Sequence, residues 1–276
     1  MKLSAIILTL NEEKMIKDCL KSVKGLADEI IVVDSGSMDK TRQIAKKLGA
    51  KVYQKKLDSF AKQRNFGLKK AKGDWVLYLD ADERISAVLR EEIKNQISKS
   101  KNTNQKLKIN KKKEIVAFCI ARKNYFFGKH VKHGGYSPDY VTRLFKRKAL
   151  IGWQGQIHES PKFKGKLGVL KNPIIHLSHR SVSEGLAKSI RWTKMEAELF
   201  YKNGHPPVAW WRLFRVFATE FFKRYLGLQG FRDGLVGFFE AWIQGFNRIL
   251  VYVYLWEMQN KTKNQRPKIK NTYSKM

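Results

Sequence analysis

The sequence contains little cysteine and begins with no long apolar run. Its two cysteines, Cys19 and Cys119, show no metal-ligand spacing, and a single possible pair is a poor disulfide framework. We therefore expect reduced thiols in a cytosolic protein. The first apolar run, Ser4–Leu10, is too short for a signal peptide, and Glu12 and Glu13 follow it at once. Nothing in this region predicts export.

Acidic residues are also scarce. Asp and Glu number 24 against 56 Lys and Arg, which gives a formal net charge of +32. A field of this sign favours polyanions such as nucleic acid, an anionic membrane leaflet or a phosphorylated small molecule. Hydrophobic residues make up 43% of the chain, which excludes a disordered protein. The length of 276 residues allows one large α/β domain with a smaller appendage.

Short apolar runs alternate with helical patterns over the first eighty residues. The runs predicted to be buried strands are Leu3–Leu10, Glu29–Asp34, Lys51–Tyr53 and Trp75–Leu79. Between the first two, Ile16, Cys19, Leu20 and Val23 fall on one face of a helix that Asn11 is expected to cap. This alternation predicts right-handed crossovers and a mainly parallel, doubly wound α/β sheet.

The middle of the chain predicts a break and then more strands. Residues 99–113 are rich in lysine and asparagine, which is typical of a flexible surface loop. Strands are predicted at Glu114–Ala121, Val141–Phe145 and Gly168–Leu177, and an amphipathic helix at Glu184–Tyr201.

From Val208 the chain becomes strongly aromatic and predicts two further helices. The second, Leu235–Trp256, has the length of a bilayer span, but its polar residues, among them Glu240 and Arg248, make spanning costly. Helices lying in the membrane interface suit the aromatic content and the basic flanks better. The alternative is that they only pack on the first domain.

Two carboxylates, Asp80 and Asp82, follow the predicted strand Trp75–Leu79 with Ala81 between them. Ligands of open α/β sheets bind beyond the carboxyl ends of the strands. Alternation in Asp-Ala-Asp predicts both carboxylates on one face, where Mn²⁺ or Mg²⁺ bound between them would relieve their repulsion. The alternative for this triplet is helix capping.

A neighbouring strand ends at Asp34, followed by Ser35 and Gly36. A carboxylate there accepts hydrogen bonds from a nucleobase N–H or from ribose hydroxyls, and Gly36 lets the backbone approach closely. Asp39 either contributes to this site or caps the next helix. Further candidate donor-binding residues at the same sheet edge are Thr9, Asn11, Glu12 and Arg64.

Four motifs together resemble the inverting glycosyltransferases of family 2, which have the GT-A fold. They are Leu8–Glu13, Val33–Thr41, Gln63–Gly67 and Leu79–Glu83. Later segments are similar to the lipopolysaccharide core β-1,4-glucosyltransferase group, namely Pro138-Asp139, Arg143–Phe145 and Ile157–Glu159. The resemblance covers roughly residues 3–200 and is more specific than any single motif.

The resemblance implies roles for these residues. Asp34 would bind uracil, Asp80 would reach the ribose, and Asp82 would hold the metal that bridges the diphosphate. Where many members of the family have Glu-Asp, this chain has His158-Glu159, so Glu159 is the candidate general base and Asp139 its competitor. His158 would orient Glu159 or contact the leaving phosphate.

The sequence therefore predicts a metal-dependent hexosyltransferase that uses a UDP-sugar and a lipid-linked saccharide acceptor such as the lipopolysaccharide core. We expect a catalytic domain at 1–204, membrane-associating helices at 205–258 and a basic flexible tail at 259–276. The predicted location is the inner face of the cell membrane, on an anionic surface.

Two other functions fit parts of the sequence less well. A sugar nucleotidyltransferase needs a glycine-rich basic loop after the first strand, and Leu8–Glu13 contains no glycine. A non-catalytic, basic nucleic-acid- or membrane-binding protein predicts basic and aromatic residues interleaved on one surface. Here the aromatics concentrate near the C-terminus and acids cluster at strand ends, so no nucleic-acid partner is expected.

Overall fold

The computed structural model describes residues 1–106, 114–155 and 159–265. The chain divides into two compact units. The first contains Met1–Val131 and Tyr136–Ser178, and the second contains Lys132–Gly135 and the chain from His179 onward. The functional division expected at residue 204 stays a prediction.

The first half of the first unit is a parallel α/β sheet. Its strands are β1 (Leu3–Thr9), β2 (Glu29–Asp34), β3 (Lys51–Gln54) and β4 (Trp75–Asp80). They lie in the order β3-β2-β1-β4 with parallel pairing, and every residue of β1 is buried. This order confirms the predicted doubly wound arrangement, because consecutive strands joined by helices return to pair in parallel.

Helices cover both faces of this sheet. They are α1 (Ile16–Val23), α2 (Thr41–Lys47), α3 (Phe60–Lys70) and α4 (Ala87–Lys106). Apolar residues of α1, α2 and α4 share one core cluster, and residues of α3 belong to a second cluster. The predicted apolar face of α1 is fully buried. Its cap was predicted wrongly, because α1 begins at Ile16 and Asn11 instead binds the loop after β2.

Glycine is required where α3 packs on the sheet. The Ser59 side chain caps this helix by accepting a hydrogen bond from the Lys62 N–H. A Cβ at Gly67 would lie 2.5 Å from a methyl carbon of Ile6, so any larger residue would push α3 away from β1. This close contact brings the residues of α3 next to the strand ends.

The second half of the sheet is antiparallel. Its strands are β5 (Glu83–Arg84), β6 (Ile115–Phe126), β7 (Lys129–His130), β8 (Asp139–Lys146) and β11 (Lys166–His179). They continue the sheet beyond β4 in the order β8-β6-β11-β5, and β7 pairs with β6. A small separate sheet consists of β9 (Leu150–Gln154) and β10 (Ser160–Phe163).

The lysine-rich segment differs from the loop that was predicted at 99–113. The helix α4 is anchored by Leu89, Ile93 and Ile97, which are buried at helical spacing, and it continues to Lys106. Residues 107–113 lie outside the described residues.

The second unit is helical and aromatic. It contains α5 (Val182–Lys202), α6 (Trp210–Phe222) and α7 (Leu235–Gln265), with a π-helical turn and a 3₁₀ turn between the last two helices. The α6 and α7 helices pack through ring contacts, including Phe217 against Trp242 at 4.9 Å between centroids. In the described part of the chain, no helix combines the length and apolar character needed to cross a membrane.

Candidate active site

The ends of β1 and β2 lie side by side and present Thr9 and Asp34, which are paired in register. Asp34 is fully buried and accepts hydrogen bonds from the N–H groups of Gly36 (3.1 Å) and Ser37 (2.9 Å), and from the Ser37 hydroxyl. Gly36 has a φ of 104°, which favours glycine. Among the described residues, the buried Thr9 hydroxyl makes no hydrogen bond, so this edge retains polar capacity for a ligand.

The loops after β1 and β2 are held together by side chains that the sequence predicted for donor binding. The Asn11 amide oxygen accepts from the Met38 N–H, at 2.8 Å. Asp39 accepts from the N–H groups of Thr41 and Glu13, both at 3.0 Å. Burial raises the pKa of Asp39, but these hydrogen bonds and that of the Thr41 hydroxyl lower it below its ordinary value. Asp39 is therefore ionised, and it holds the loop after β1 against the loop after β2.

The Glu12 backbone belongs to the same set of loop contacts. Its N–H donates to the Thr41 hydroxyl at 2.8 Å, and its side chain is largely buried. Ser35 donates its own N–H to the Thr9 carbonyl at 2.9 Å, which extends the β1–β2 ladder by one residue. The strand ends are thus rigidly positioned relative to each other.

Asp80 ends β4 and is bound by two arginines. Arg64 of α3 contacts one carboxylate oxygen at 3.1 Å, and Arg143 of β8 contacts the other. Burial raises the pKa of Asp80, but the charges of Arg143 and Arg64 outweigh burial and hold this pKa well below its usual range. The sequence predicted that a metal ion would relieve the repulsion between Asp80 and Asp82. In the structure, two guanidinium groups already neutralise the charge of Asp80.

A buried carboxylate that the sequence reasoning missed lies beside Asp80. Glu83 is fully buried, accepts from the Asp80 N–H at 3.0 Å, and forms ion pairs with Arg143 at 2.7 Å and Arg122 at 3.7 Å. Both residues lie in motifs that resemble those of the family: Glu83 ends Leu79–Glu83, and Arg143 begins Arg143–Phe145. Their partnership was not visible because 60 positions separate them.

Asp82 lies in the turn after β4, so strand alternation does not apply to it. The Ala81 N–H still donates to the Leu8 carbonyl, at 3.2 Å, while Asp82 faces β11. Its carboxylate is 3.7 Å from the Nε2 atom of His176, a residue to which the sequence assigned no role. No group of three or more Asp, Glu, His or Cys side chains suited to a metal occurs within residues 1–106, 114–155 and 159–265.

Glu159 reaches the same region from the small sheet. Its Oε1 atom accepts from Nε and Nη2 of Arg64, at 3.2 and 3.1 Å. The Arg64 guanidinium lies over the Trp153 ring at 4.9 Å, and Asn65 exchanges two hydrogen bonds of 2.8 Å with the Trp153 backbone. These contacts tie β9 to α3. His158, the other predicted residue here, lies outside the described residues.

Asp139 lies at the start of β8, and two side chains of β6 bind its carboxylate. Arg122 binds its carboxylate at 2.8 Å and the Asn124 amide nitrogen binds it at 3.0 Å. Burial raises the pKa of Asp139, but hydrogen bonding and charge from Arg122 lower it below the ordinary value. Asp139 therefore connects through Arg122 to Glu83, whereas Glu159 connects through Arg64 to Asp80.

The sequence is similar to those of known proteins. The Glycosyl transferase family 2 profile matches residues 4–104. An uncharacterized glycosyltransferase of Rickettsia bellii is 31% identical over 253 residues, which cover 88% of this chain and 84% of the relative. The chain belongs to glycosyltransferase family 2. This membership confirms the family that the four motifs indicated, and the chain is a glycosyltransferase with an α/β fold.

Two further similarities concern this glycosyltransferase. The lipopolysaccharide core biosynthesis glycosyltransferase LpsC of Rhizobium meliloti is 28% identical over 254 residues, covering 87% of this chain and 86% of LpsC. Among solved structures, S. aureus TarS (residues 1–349) in complex with UDP-GlcNAc matches with a TM-score of 0.47 and 17% identity, over 96% of this chain and 92% of that one.

Proposed function

We propose that this glycosyltransferase transfers a hexose, glucose by its sequence resemblance, from a UDP-sugar to a membrane glycolipid such as the lipopolysaccharide core, with inversion. The observation that carries the proposal is the shared guanidinium of Arg64, which contacts Asp80 at the end of β4 and Glu159 beside β10. A donor-side carboxylate and the candidate base thus belong to one site. The similarity to LpsC supports the choice of acceptor.

The nucleotide would bind at the ends of β1 and β2. Asp34 is already oriented by the Gly36 and Ser37 N–H groups, so its carboxylate is preorganised to accept a hydrogen bond from a uracil N–H. The open backbone at Gly36, where a Cβ would meet no atom within 4 Å, leaves room for the nucleoside. Asp80 would contact the ribose region.

A divalent ion, Mn²⁺ or Mg²⁺, fits at Asp82. A carboxylate oxygen and a ring nitrogen of His176 face each other there at 3.7 Å, and both are ligands that Mn²⁺ accepts in proteins. Asp80, the second predicted ligand, has both oxygens in ion pairs with arginines, so we assign it to positioning. When bound, the ion would offset the charge that develops on the departing diphosphate.

Glu159 would remove the proton from the acceptor hydroxyl as that hydroxyl attacks the anomeric carbon. Arg64 keeps the carboxylate oriented, because the guanidinium is itself held against Trp153 and is only 2% exposed. Asp139 suits this role less well, since Arg122 and Asn124 already bind its carboxylate and lower its basicity.

The second unit would bind the membrane surface through α6. No side chain of α6 is buried, and Trp210, Phe214 and Phe222 are exposed by 75%, 71% and 55%. Arg212 and Arg215 lie against the Trp211 ring, so basic groups border the aromatic surface. Aromatic rings with Arg neighbours suit the interface of an anionic bilayer, and the net charge of +32 attracts the chain to it.

A donor screen tests the proposed reaction. The purified chain is incubated with UDP-glucose, other UDP-hexoses, GDP-mannose or dTDP-glucose, with Mn²⁺, Mg²⁺ or EDTA, and release of the nucleoside diphosphate is measured with and without deacylated lipopolysaccharide core. We expect metal-dependent release of UDP from a UDP-hexose, increased by the acceptor. Release from none of the donors, or equal release in EDTA, would overturn the proposal.

A further inference from the structure

The amide of Asn124 has a defined orientation in the buried part of β6. Its nitrogen donates to the Tyr136 carbonyl at 2.8 Å and to the Asp139 carboxylate at 3.0 Å, and the residue is 2% exposed. A carbonyl oxygen has no proton to give, so the atom facing it must be the amide nitrogen. The amide oxygen of Asn124 therefore points the other way.

That oxygen faces the ring of His176. The Asn124 oxygen and the His176 Nδ1 atom are 2.6 Å apart, a hydrogen-bond distance. Because an amide oxygen only accepts, Nδ1 must carry the proton. In the neutral ring, the lone pair then lies on Nε2, which is the atom a metal ion would bind.

Backbone pairing brings the His176 ring close to Asp82. His176 of β11 is paired in register with Glu83 of β5, and the Leu177 N–H donates to the Asp82 carbonyl at 2.9 Å. Nε2 is consequently 3.7 Å from a carboxylate oxygen of Asp82, beyond hydrogen-bond distance. At this separation a carboxylate oxygen and an unprotonated ring nitrogen can both be ligands of one divalent cation.

We propose that Asn124 is a positioning residue of the metal site: it holds His176 as the Nδ1–H tautomer, so that Nε2 becomes a protein ligand of the divalent ion beside Asp82. The inference rests on the proposed metal-dependent transfer and deepens it, since it names the residue that sets the tautomer and orientation of the His176 ring. The remaining coordination positions would be filled by the donor diphosphate and water.

Nuclear magnetic resonance tests the tautomer in the wild-type protein. Long-range ¹⁵N–¹H spectra distinguish protonated from unprotonated ring nitrogens, and His176→Gln assigns the resonance. At mildly alkaline pH we expect His176 to carry its proton on Nδ1, and Mg²⁺ with UDP to shift the Nε2 resonance. A ring protonated on Nε2, or an Nε2 resonance that Mg²⁺ with UDP leaves unchanged, would overturn the inference.

Metal affinity tests whether Asn124 acts through His176. We expect Asn124→Leu and His176→Gln each to raise the Kd for Mn²⁺, measured by electron paramagnetic resonance in the presence of UDP, by roughly 10–100-fold. The double variant should be no weaker than His176→Gln alone. His133→Gln is the matched control, because this histidine of the second unit also presents Nδ1 to a buried acceptor, at 3.0 Å from Asp233, and we expect it to bind Mn²⁺ normally.

The outcomes separate the two proposals. If the wild-type chain releases UDP with Mn²⁺ while Asn124→Leu binds Mn²⁺ as tightly as the wild type, the positioning role is wrong and the proposed function stands. Fully additive effects in the double variant would also contradict the inference, since they would show that Asn124 acts independently of His176. A wild-type chain that binds no Mn²⁺ in the presence of UDP would overturn both.

Discussion

The Nη2 atom of Arg64 lies 3.1 Å from Oε1 of Glu159, although 95 positions of sequence separate the two residues. The same nitrogen lies 3.1 Å from Asp80. Because Arg64 projects from α3, and Gly67 lets α3 pack closely on β1, the guanidinium is delivered to the ends of the parallel strands. One buried cation thus connects the carboxylate of β4 with the segment before β10.

Replacing Glu159 by glutamine should separate chemistry from donor binding. The amide cannot take the acceptor proton, so we expect kcat to fall by roughly 10²–10⁴-fold. The Kd for UDP should change little, because glutamine is nearly the same size as glutamate and still presents a side-chain oxygen to Arg64. Steady-state transfer and calorimetric titration with UDP measure the two effects. Wild-type turnover in Glu159→Gln would disprove its assignment as the base.

Replacing Arg64 by methionine should destabilise the protein. The change leaves Glu159 and one oxygen of Asp80 without their buried guanidinium, and removing one partner of a buried ion pair costs about 3–5 kcal/mol. Urea unfolding measures the loss. Lys94→Met is the control, since its pair with Glu91 is exposed and should contribute no more than about 1 kcal/mol. Equal losses in the two variants would contradict the account of Arg64.

Asp139 should make stability depend on pH in the acid range. Arg122 holds the folded-state pKa of Asp139 below its unfolded value of about 3.9, so the ionised carboxylate favours the native state. Its contribution is present above about pH 4 and is lost as pH falls through the lower folded-state pKa. Urea unfolding across the acid range should therefore give a flatter pH profile for Asp139→Asn. A profile unchanged from the wild type would contradict this prediction.

The aromatic face of α6 should determine membrane binding. We expect the double variant Trp210→Ala/Phe214→Ala to bind phosphatidylglycerol vesicles at least about tenfold more weakly. It lacks two exposed rings that would be buried in the membrane interface. Binding should also weaken as salt rises. The control Ile151→Ala/Val169→Ala removes two exposed apolar side chains of the first unit and should bind normally. Equal weakening by both double variants would argue against a specific face.

The parallel half of the fold was predictable because its signals are local. The strand ending at Asp34 and the strand ending at Asp80 were recognisable from short apolar runs, and the helix Ile16–Val23 from its spacing. Parallel pairing then follows from the alternation of strands and helices. The helix α4 was not predicted, and its last residues, up to Lys106, fall in the lysine- and asparagine-rich stretch for which a loop was expected.

The ionic partners in the site were not predictable in the same way. Arg122, Asn124 and His176 come from antiparallel strands whose register depends on long-range pairing, including the shift between Phe118 and Cys119. A single sequence does not contain that register. The pairing of Asp80 with Arg143 across 63 positions therefore appears only in the folded chain, and it is the reason for proposing Asp80 as a positioning residue and not as a metal ligand.

The central claim is that Asp82 helps to hold a divalent ion against the diphosphate of a nucleotide donor. Calorimetric titration of UDP into the wild type and into Asp82→Ala, each with Mn²⁺ and with EDTA, tests it most directly. The account predicts tight binding only for the wild type with Mn²⁺, and affinity at least about tenfold weaker in the other three titrations. Equal affinity for UDP in all four titrations would contradict it.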